Sequence, residues 1–224
     1  MKMAGLCWMT VALVFFLSAG DSVTAVNRDD LAKIVKFMVD RYQINYQVSV
    51  AVNTPVNQDL NRLDEFFAAA SDVAEKLAQN SVFVDDSKMV AAKPYKNVHA
   101  EVYVLKNMNN LINMKDGKYL IFYSFYSPCD GHCMNPKSKY TIIPKINEII
   151  PNWSEHVFVF SKVFDQTSSG TPIPREKTIE ALNQLGNSAV GHNNVYRCYK
   201  PQNQDYQCIN CFNGASYVEQ CVVN

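Results

Sequence analysis

Two short polar patterns flank one apolar strand, and a fold that uses them must bring them to a single point. His99-Ala100-Glu101 precedes the apolar and aromatic stretch Tyr119 to Tyr126, and Cys129 and Cys133 follow it. One imidazole and two thiolates are good ligands for Zn²⁺. Three protein ligands leave the fourth tetrahedral position free, which separates an open zinc site from a closed structural one. Glu101 then remains as an unliganded carboxylate able to carry protons.

The spacing restricts how these residues can meet. Positions two apart do not share a helical face, so His99 and Glu101 approach one atom only at the N-terminal end of a helix. Val98, Val102, Leu105 and Ile112 supply an apolar face for a helix starting around His99. Cys129 and Cys133 are four apart, which predicts a second helix with both sulfurs on one face. Pro128 suits its first position, and the open helix end favours thiolate at Cys129. The run Tyr119 to Tyr126 reads as a buried strand that carries the cysteines to the edge of a sheet, where open α/β folds hold ligands.

His99-Ala100-Glu101 followed by Ser127-Pro128-Cys129 and Cys133 at the end of an aromatic strand resembles the AID/APOBEC branch of the zinc-dependent cytidine deaminase superfamily. With a signal peptide, it is most similar to the secreted novel AID/APOBEC-like deaminases of ray-finned fish. The resemblance runs over about residues 28 to 200. It implies that His99, Cys129 and Cys133 bind Zn²⁺, that Glu101 is the proton shuttle, and that cytosine is hydrolysed to uracil with release of ammonia. In that branch a Ser-Trp-Ser-Pro-Cys segment borders the base pocket, and the matching stretch here is Phe125-Tyr126-Ser127-Pro128-Cys129. Tyr126 keeps a stacking face, Ser127 is retained, and Phe125 in place of serine alters the shape of the pocket. Tyr95, in the loop ahead of His99, is a second stacking candidate.

The 224 residues, 48% hydrophobic and 19% charged, exclude a disordered chain and suit one α/β domain. Lys2, an apolar run from Met3 to Phe16, and Val23-Thr24-Ala25 read as a signal peptide over residues 1–25. A signal anchor is the competing reading. The run is short and no second hydrophobic span follows, so the chain is expected to be secreted and free of the membrane after cleavage. Cys7 leaves with that segment. Cys198, Cys208, Cys211 and Cys221 then suggest two disulfides in an oxidising compartment, with three connectivities open. Cys208-x-x-Cys211 also has the spacing of a zinc knuckle. Asn152-Trp153-Ser154 is a glycosylation sequon, placed in a loop by Pro151.

Periodicity predicts a helix over Asp29–Tyr42, a strand over Tyr46–Val52, and a second amphipathic helix carrying Leu60, Leu63, Phe67, Ala70, Ala74 and Leu77. A short or broken strand follows in Val82–Val84 and Met89–Ala92. After the cysteines come a helix around Ile146, a strand over His156–Phe164, a helix over Arg175–Leu185 and a strand over Val195–Tyr199. This alternation argues for a three-layer α/β/α fold of the cytidine-deaminase kind, with a mixed sheet of roughly five strands and a disulfide-rich C-terminal tail. The expected organisation is a deaminase-like domain over 26–200, with a helical insertion near 57–80, and a cysteine-rich cap over 201–224 on the same domain.

Formal charge is zero, which gives little support to a polynucleotide substrate. The halves differ, however: residues 26–87 hold 6 basic and 10 acidic side chains, and residues 88–224 hold 14 and 10. Lys88, Lys93, Lys96, Lys137, Lys139 and Lys145 flank the motifs and read equally as a basic rim or as solvated lysines. The segment Asp165 to Pro174 has no aromatic residue to stack on a base. His132 points away from the shared cysteine face, and His156 and His192 read as structural or exposed. Three functions follow: a secreted deaminase of cytosine in single-stranded DNA or RNA, acting in defence against foreign nucleic acid; a deaminase of free cytidine or a related nucleoside; or a secreted zinc-binding protein without chemistry. Oligomeric state is left open.

Overall fold

A computed structural model describes residues 27–56, 59–85 and 88–224; the expected signal peptide lies outside them. Helix α1 (Arg28–Arg41) starts at Asn27, whose side chain accepts hydrogen bonds from the backbone N–H groups of Asp29 and Asp30. Leu31, Ile34, Val35 and Met38 form its buried stripe. Strand β1 (Ser49–Pro55) follows. The amphipathic helix expected over Leu60 to Leu77 is instead a 3₁₀ turn, Leu60–Glu65, and a separate helix α2 (Ala70–Asn80). Side chains at the end of α1 explain the break. Arg41 donates to the carbonyls of Phe67 and Ala68, and the Tyr42 hydroxyl also donates to Ala68, occupying acceptors that a continuous helix would need.

Strands β2 (Val82–Asp85) and β3 (Met89–Ala92) form an antiparallel pair where one broken strand was expected. The helix predicted from His99 through Ile112 is divided into α3 (Ala100–Lys106) and α4 (Asn109–Asn113). At the break the Asn107 side chain donates to the Tyr103 carbonyl. Strand β4 (Lys118–Tyr126), helix α5 (Ile143–Ile149) and a 3₁₀ turn over Ile150–Asn152 come next. Then follow β5 (His156–Lys162), α6 (Arg175–Gly186), β6 (Val195–Tyr199), β7 (Gln207–Asn210) and the small hairpin of β8 (Phe212–Asn213) with β9 (Ser216–Tyr217). The sequon residue Asn152 closes the 3₁₀ turn, its amide donating to the carbonyls of Glu148 and Ile149.

The main sheet has seven strands, not about five, in the order β2-β3-β1-β4-β5-β6-β7. β4, β5 and β6 are parallel, joined through α5 and α6 as parallel strands require. The remaining pairs are antiparallel. The sheet is the middle of three layers. α1 and α2 cover one face on Val50, Val52, Ile121, Tyr123 and Val159. α3, α4, α5 and α6 cover the other on Ala51, Leu120, Phe122, Phe158 and Phe160. Of the three open cysteine connectivities, the structure has Cys198–Cys208 and Cys211–Cys221. The first spans a directly opposed pair on β6 and β7. The tail thereby becomes part of the sheet.

Candidate metal centre and its cavity

His99 is the N-cap of α3 and has extended backbone, φ −71° and ψ 154°, so its ring falls back over the end of the helix. A tight turn delivers it there. Tyr95 and Val98 exchange two backbone hydrogen bonds of 3.1 and 3.0 Å, and between them Lys96 and Asn97 are both left-handed, at φ 48° and 62°. Left-handed backbone costs a non-glycine residue about 1–2 kcal/mol, so the surrounding structure holds this turn against its preference.

The cysteines reach the same place from β4. Ser127 ties the end of that strand to the next one: its N–H donates to the Lys162 carbonyl at 2.8 Å, and its hydroxyl accepts from the Phe164 N–H at 2.9 Å. The helix expected over Cys129 to Cys133 is absent, and the segment is a turn. The Met134 N–H bonds the Cys129 carbonyl, and the Cys133 N–H points at Cys129 Sγ, 3.4 Å away. Four-residue spacing brings two sulfurs together in a turn wound around one of them as well as on a helical face. Thr141 and Ile142 then hold the Cys133 carbonyl.

His99 Nδ1 lies 3.1 Å from Cys133 Sγ and 3.6 Å from Cys129 Sγ. The three donor atoms are all within 4.8 Å of one another and form a candidate metal-binding group. The hydrogen bond from the Cys133 thiol, joined by His99, brings Cys129 down to about 4 despite burial. Donating that bond keeps the proton on Cys133 and pushes it well above the usual thiol range, and burial pushes the same way. The bond to Cys129 raises His99 against the opposing effect of burial.

Glu101, in the first turn of α3, is 1% exposed. Burial pushes its carboxyl upward. Oε1 accepts a 2.8 Å hydrogen bond from Ser124, which accepts in turn from Ser49 at 3.2 Å. These serines are directly opposed on β4 and β1. Oε2 is buried and has no hydrogen-bond partner among the described residues. Such an orphaned oxygen is costly unless something else occupies the site.

A cavity of about 640 Å³ opens over His99 and Cys129, walled by Tyr95, Lys96, His132, Phe164 and Thr167 among others. Tyr95 is therefore beside the site, 49% exposed. Tyr126 is not in this wall and lines a different cavity. Ser127 is buried, its hydroxyl engaged by backbone. The aromatic ring that faces His99 is Phe164, at 6.4 Å between centroids. It had been read as the end of a strand, which in fact stops at Lys162. His132 packs edge-on to His99 at 5.5 Å, outside the three-residue group. His156 Nε2 donates to the Val190 carbonyl, and His192 packs on Phe212. Of the six flanking lysines, Lys96 lines the cavity, while Lys145 pairs with Glu148 and Lys88 donates to the Glu65 carbonyl. Ser124 and Ser49 were not anticipated. The one available signal was a lone serine at the α3-facing position after Leu120 and Phe122.

Neither the curated proteins nor the solved structures contain a match to this chain. A family model described as Secreted Novel AID/APOBEC-like Deaminase 1 matches residues 28–224, a span that takes in the His99, Glu101, Cys129 and Cys133 cluster and both disulfides. By that match and by the α/β/α architecture that carries the cluster, the chain belongs to the Secreted Novel AID/APOBEC-like Deaminase 1 (SNAD1) family.

Proposed function

We propose that this protein is a secreted, zinc-dependent deaminase that hydrolyses cytosine to uracil in single-stranded DNA or RNA. The observation that carries the reading is the buried, unpartnered Oε2 of Glu101 beside a His/Cys/Cys donor group. That donor set fits Zn²⁺ with one position left over, and an acid without a hydrogen-bond partner fits proton transfer there. When bound, zinc would supply the Lewis acidity that brings the pKa of water down to about 7. His99, Cys129 and Cys133 would hold it.

Glu101 then does the proton work. Ser124 fixes Oε1, so Oε2 takes the proton of the attacking water and passes it to N3 of the cytosine ring. A carbon–oxygen bond forms at C4, Glu101 takes the second proton from that oxygen and delivers it to the exocyclic amine, and the C4–nitrogen bond breaks with loss of ammonia, leaving the C4 carbonyl of uracil. Burial of Glu101 helps it accept the proton, because a raised pKa makes the carboxylate a better base. Tyr95 and Phe164 offer faces for stacking the base.

Secretion is supported by the family's description, by two disulfides, and by the apolar run after Lys2. Among the described residues no helix is long and apolar enough to cross a membrane. The test is zinc content together with C-to-U turnover on the purified protein and Glu101→Gln, offered single-stranded DNA, RNA and free cytidine. Turnover by the native protein alone, with about one zinc in each, supports the reading. Turnover of cytidine with no turnover of either strand replaces it with a nucleoside deaminase, and zinc without turnover on all three leaves a metal-binding protein.

A further inference from the structure

Among the described residues, Cys129 and Cys133 are the free cysteines of a chain whose other four sulfurs are joined in disulfides. The two free sulfurs belong to a group whose donor atoms all lie within 4.8 Å of one another. Each stands on held backbone. The Cys129 carbonyl accepts from the Met134 N–H at 3.0 Å, and the Cys133 carbonyl accepts from the Ile142 N–H at 2.8 Å. Between them Asp130, Gly131 and His132 form a turn in which Gly131 and His132 are exposed. A Cβ at Gly131 would meet nothing within 4 Å, so the turn has room to adjust. Bringing the sulfurs to an S–S distance of about 2.05 Å is thus a matter of side-chain rotation within a short turn, with the sheet left as it is.

The two sulfurs differ in access. Cys129 is 7% exposed and lines the site cavity, whereas Cys133 is 1% exposed and does not line it. A small disulfide entering that cavity meets Cys129 first. Cys133 lies behind it. Its N–H points at Cys129 Sγ from 3.4 Å, and its own sulfur is 3.1 Å from His99 Nδ1, a base in reach of its proton. One more open sulfur with a second, resolving sulfur beside it is the arrangement of a dithiol that closes on itself.

We infer that Cys129 and Cys133 are a metal-gated redox pair: in the chain without zinc, a low-molecular-weight disulfide converts them to a Cys129–Cys133 bridge, which withdraws two of the three metal ligands until it is reduced. The inference rests on the reading that His99, Cys129 and Cys133 hold zinc. With oxidised glutathione as the oxidant, the Cys129 sulfur attacks one glutathione sulfur, the glutathione S–S bond breaks and the first glutathione leaves as a thiol. Cys133 gives its proton to His99 and attacks Cys129 Sγ, the mixed disulfide breaks and the second glutathione leaves. Two cysteine thiols are oxidised to one disulfide, one glutathione disulfide is reduced to two thiols, and the two protons of the cysteines leave with them.

The experiment takes the full, zinc-loaded chain and incubates it with oxidised glutathione, with and without a strong chelator. Free thiols are counted by mass after alkylation, bridges are located by non-reducing peptide mapping, and zinc is measured on the same samples. With chelator, both free thiols are lost, a peptide joined through Cys129 and Cys133 appears, and added zinc is no longer taken up. Excess reduced glutathione restores both thiols and the uptake of about one zinc per chain. Without chelator, both thiols persist under the same oxidant. Cys133→Ser is expected to stop with one glutathione on Cys129, and Cys129→Ser to leave Cys133 free. Intact tail bridges in the same map and a cooperative melting transition show that each protein is folded. Two free thiols after chelation and oxidation, two glutathiones retained on the native chain, or a bridge from either sulfur to a tail cysteine each overturn the inference while zinc uptake by the reduced chain still stands. A reduced chain that takes up no zinc overturns the metal reading, and a bridge found there is a plain disulfide and not a switch.

Discussion

Ser124 donates a 2.8 Å hydrogen bond to Oε1 of Glu101 and so leaves Oε2 as the carboxylate oxygen without a partner among the described residues. Removing that donor lets the carboxylate rotate and leaves a second buried oxygen unsatisfied. A hydrogen bond to a charged group is worth about 1.5–3 kcal/mol, or roughly 10- to 100-fold in rate. Ser124→Ala is therefore expected to lower kcat by that factor with zinc content unchanged, in single-turnover assays. Ser49→Ala, one bond further from the acid, has a smaller effect in the same direction. Equal rates for Ser124→Ala and the native protein would remove Ser124 from any positioning role.

Burial of Glu101 gives stability a pH dependence. Its folded carboxyl holds a proton to higher pH than the unfolded one, so the folded state binds more protons between the two values. Its favourable contribution is complete below the unfolded pKa, about 4.3, and is lost as pH rises through the folded value. In chelator-treated protein Glu101→Gln, which keeps the acceptor for Ser124, should melt higher than native at pH 7. About 1 kcal/mol corresponds to roughly 2–4 °C in a chain of this size. The difference disappears below about pH 4, and calorimetry across pH shows whether it does.

The thiols titrate far apart. With Cys129 brought down to about 4 and Cys133 pushed well up, Cys129 is a thiolate throughout the neutral range when no metal is bound. Iodoacetamide on reduced, chelated protein should modify Cys129 at pH 6 and spare Cys133 until alkaline pH. Mass mapping across pH reads this directly. Simultaneous modification with a midpoint above about 8, the ordinary thiol range, would show that the two sulfurs do not share a proton.

Loss of the Cys211–Cys221 bridge reaches the site through Asn224. That side chain bonds both the N–H and the carbonyl of Val163, immediately before Phe164, and also accepts from Arg197. Cys211→Ser/Cys221→Ser is expected to cost about 2–4 kcal/mol of stability, read as a lower denaturation midpoint. It should also raise hydrogen exchange at Val163 and Phe164 before the core strand β4 is affected.

The candidate metal-binding group of His99, Cys129 and Cys133 was legible because such a donor set depends on residue type and spacing, both of which the chain displays directly. The central strands were legible because Tyr119 to Tyr126 and His156 to Lys162 are apolar on both faces, as buried parallel strands must be. The edge strands were less so. β7 has one fully buried residue, Cys208, and is held by pairing and a disulfide more than by apolar pattern. The turn at Cys129 was misread because a four-residue spacing fits a helix equally well. Ser49 and Ser124 are 75 positions apart, and only the register of β1 on β4 places them under Glu101. Tyr126 and Phe164 required knowing which cavity each ring lines, a matter of where two strands end.

The tail's two bridges join cysteines that are successive along the chain, and their loops do not overlap. Each can close within its own short stretch without waiting for distant segments. The four tail thiols thus find partners locally, and Cys129 and Cys133, separated from them by α5, β5 and α6, remain free. Among the described residues, the order of the six cysteines along the chain alone sorts the four of the tail from the free pair.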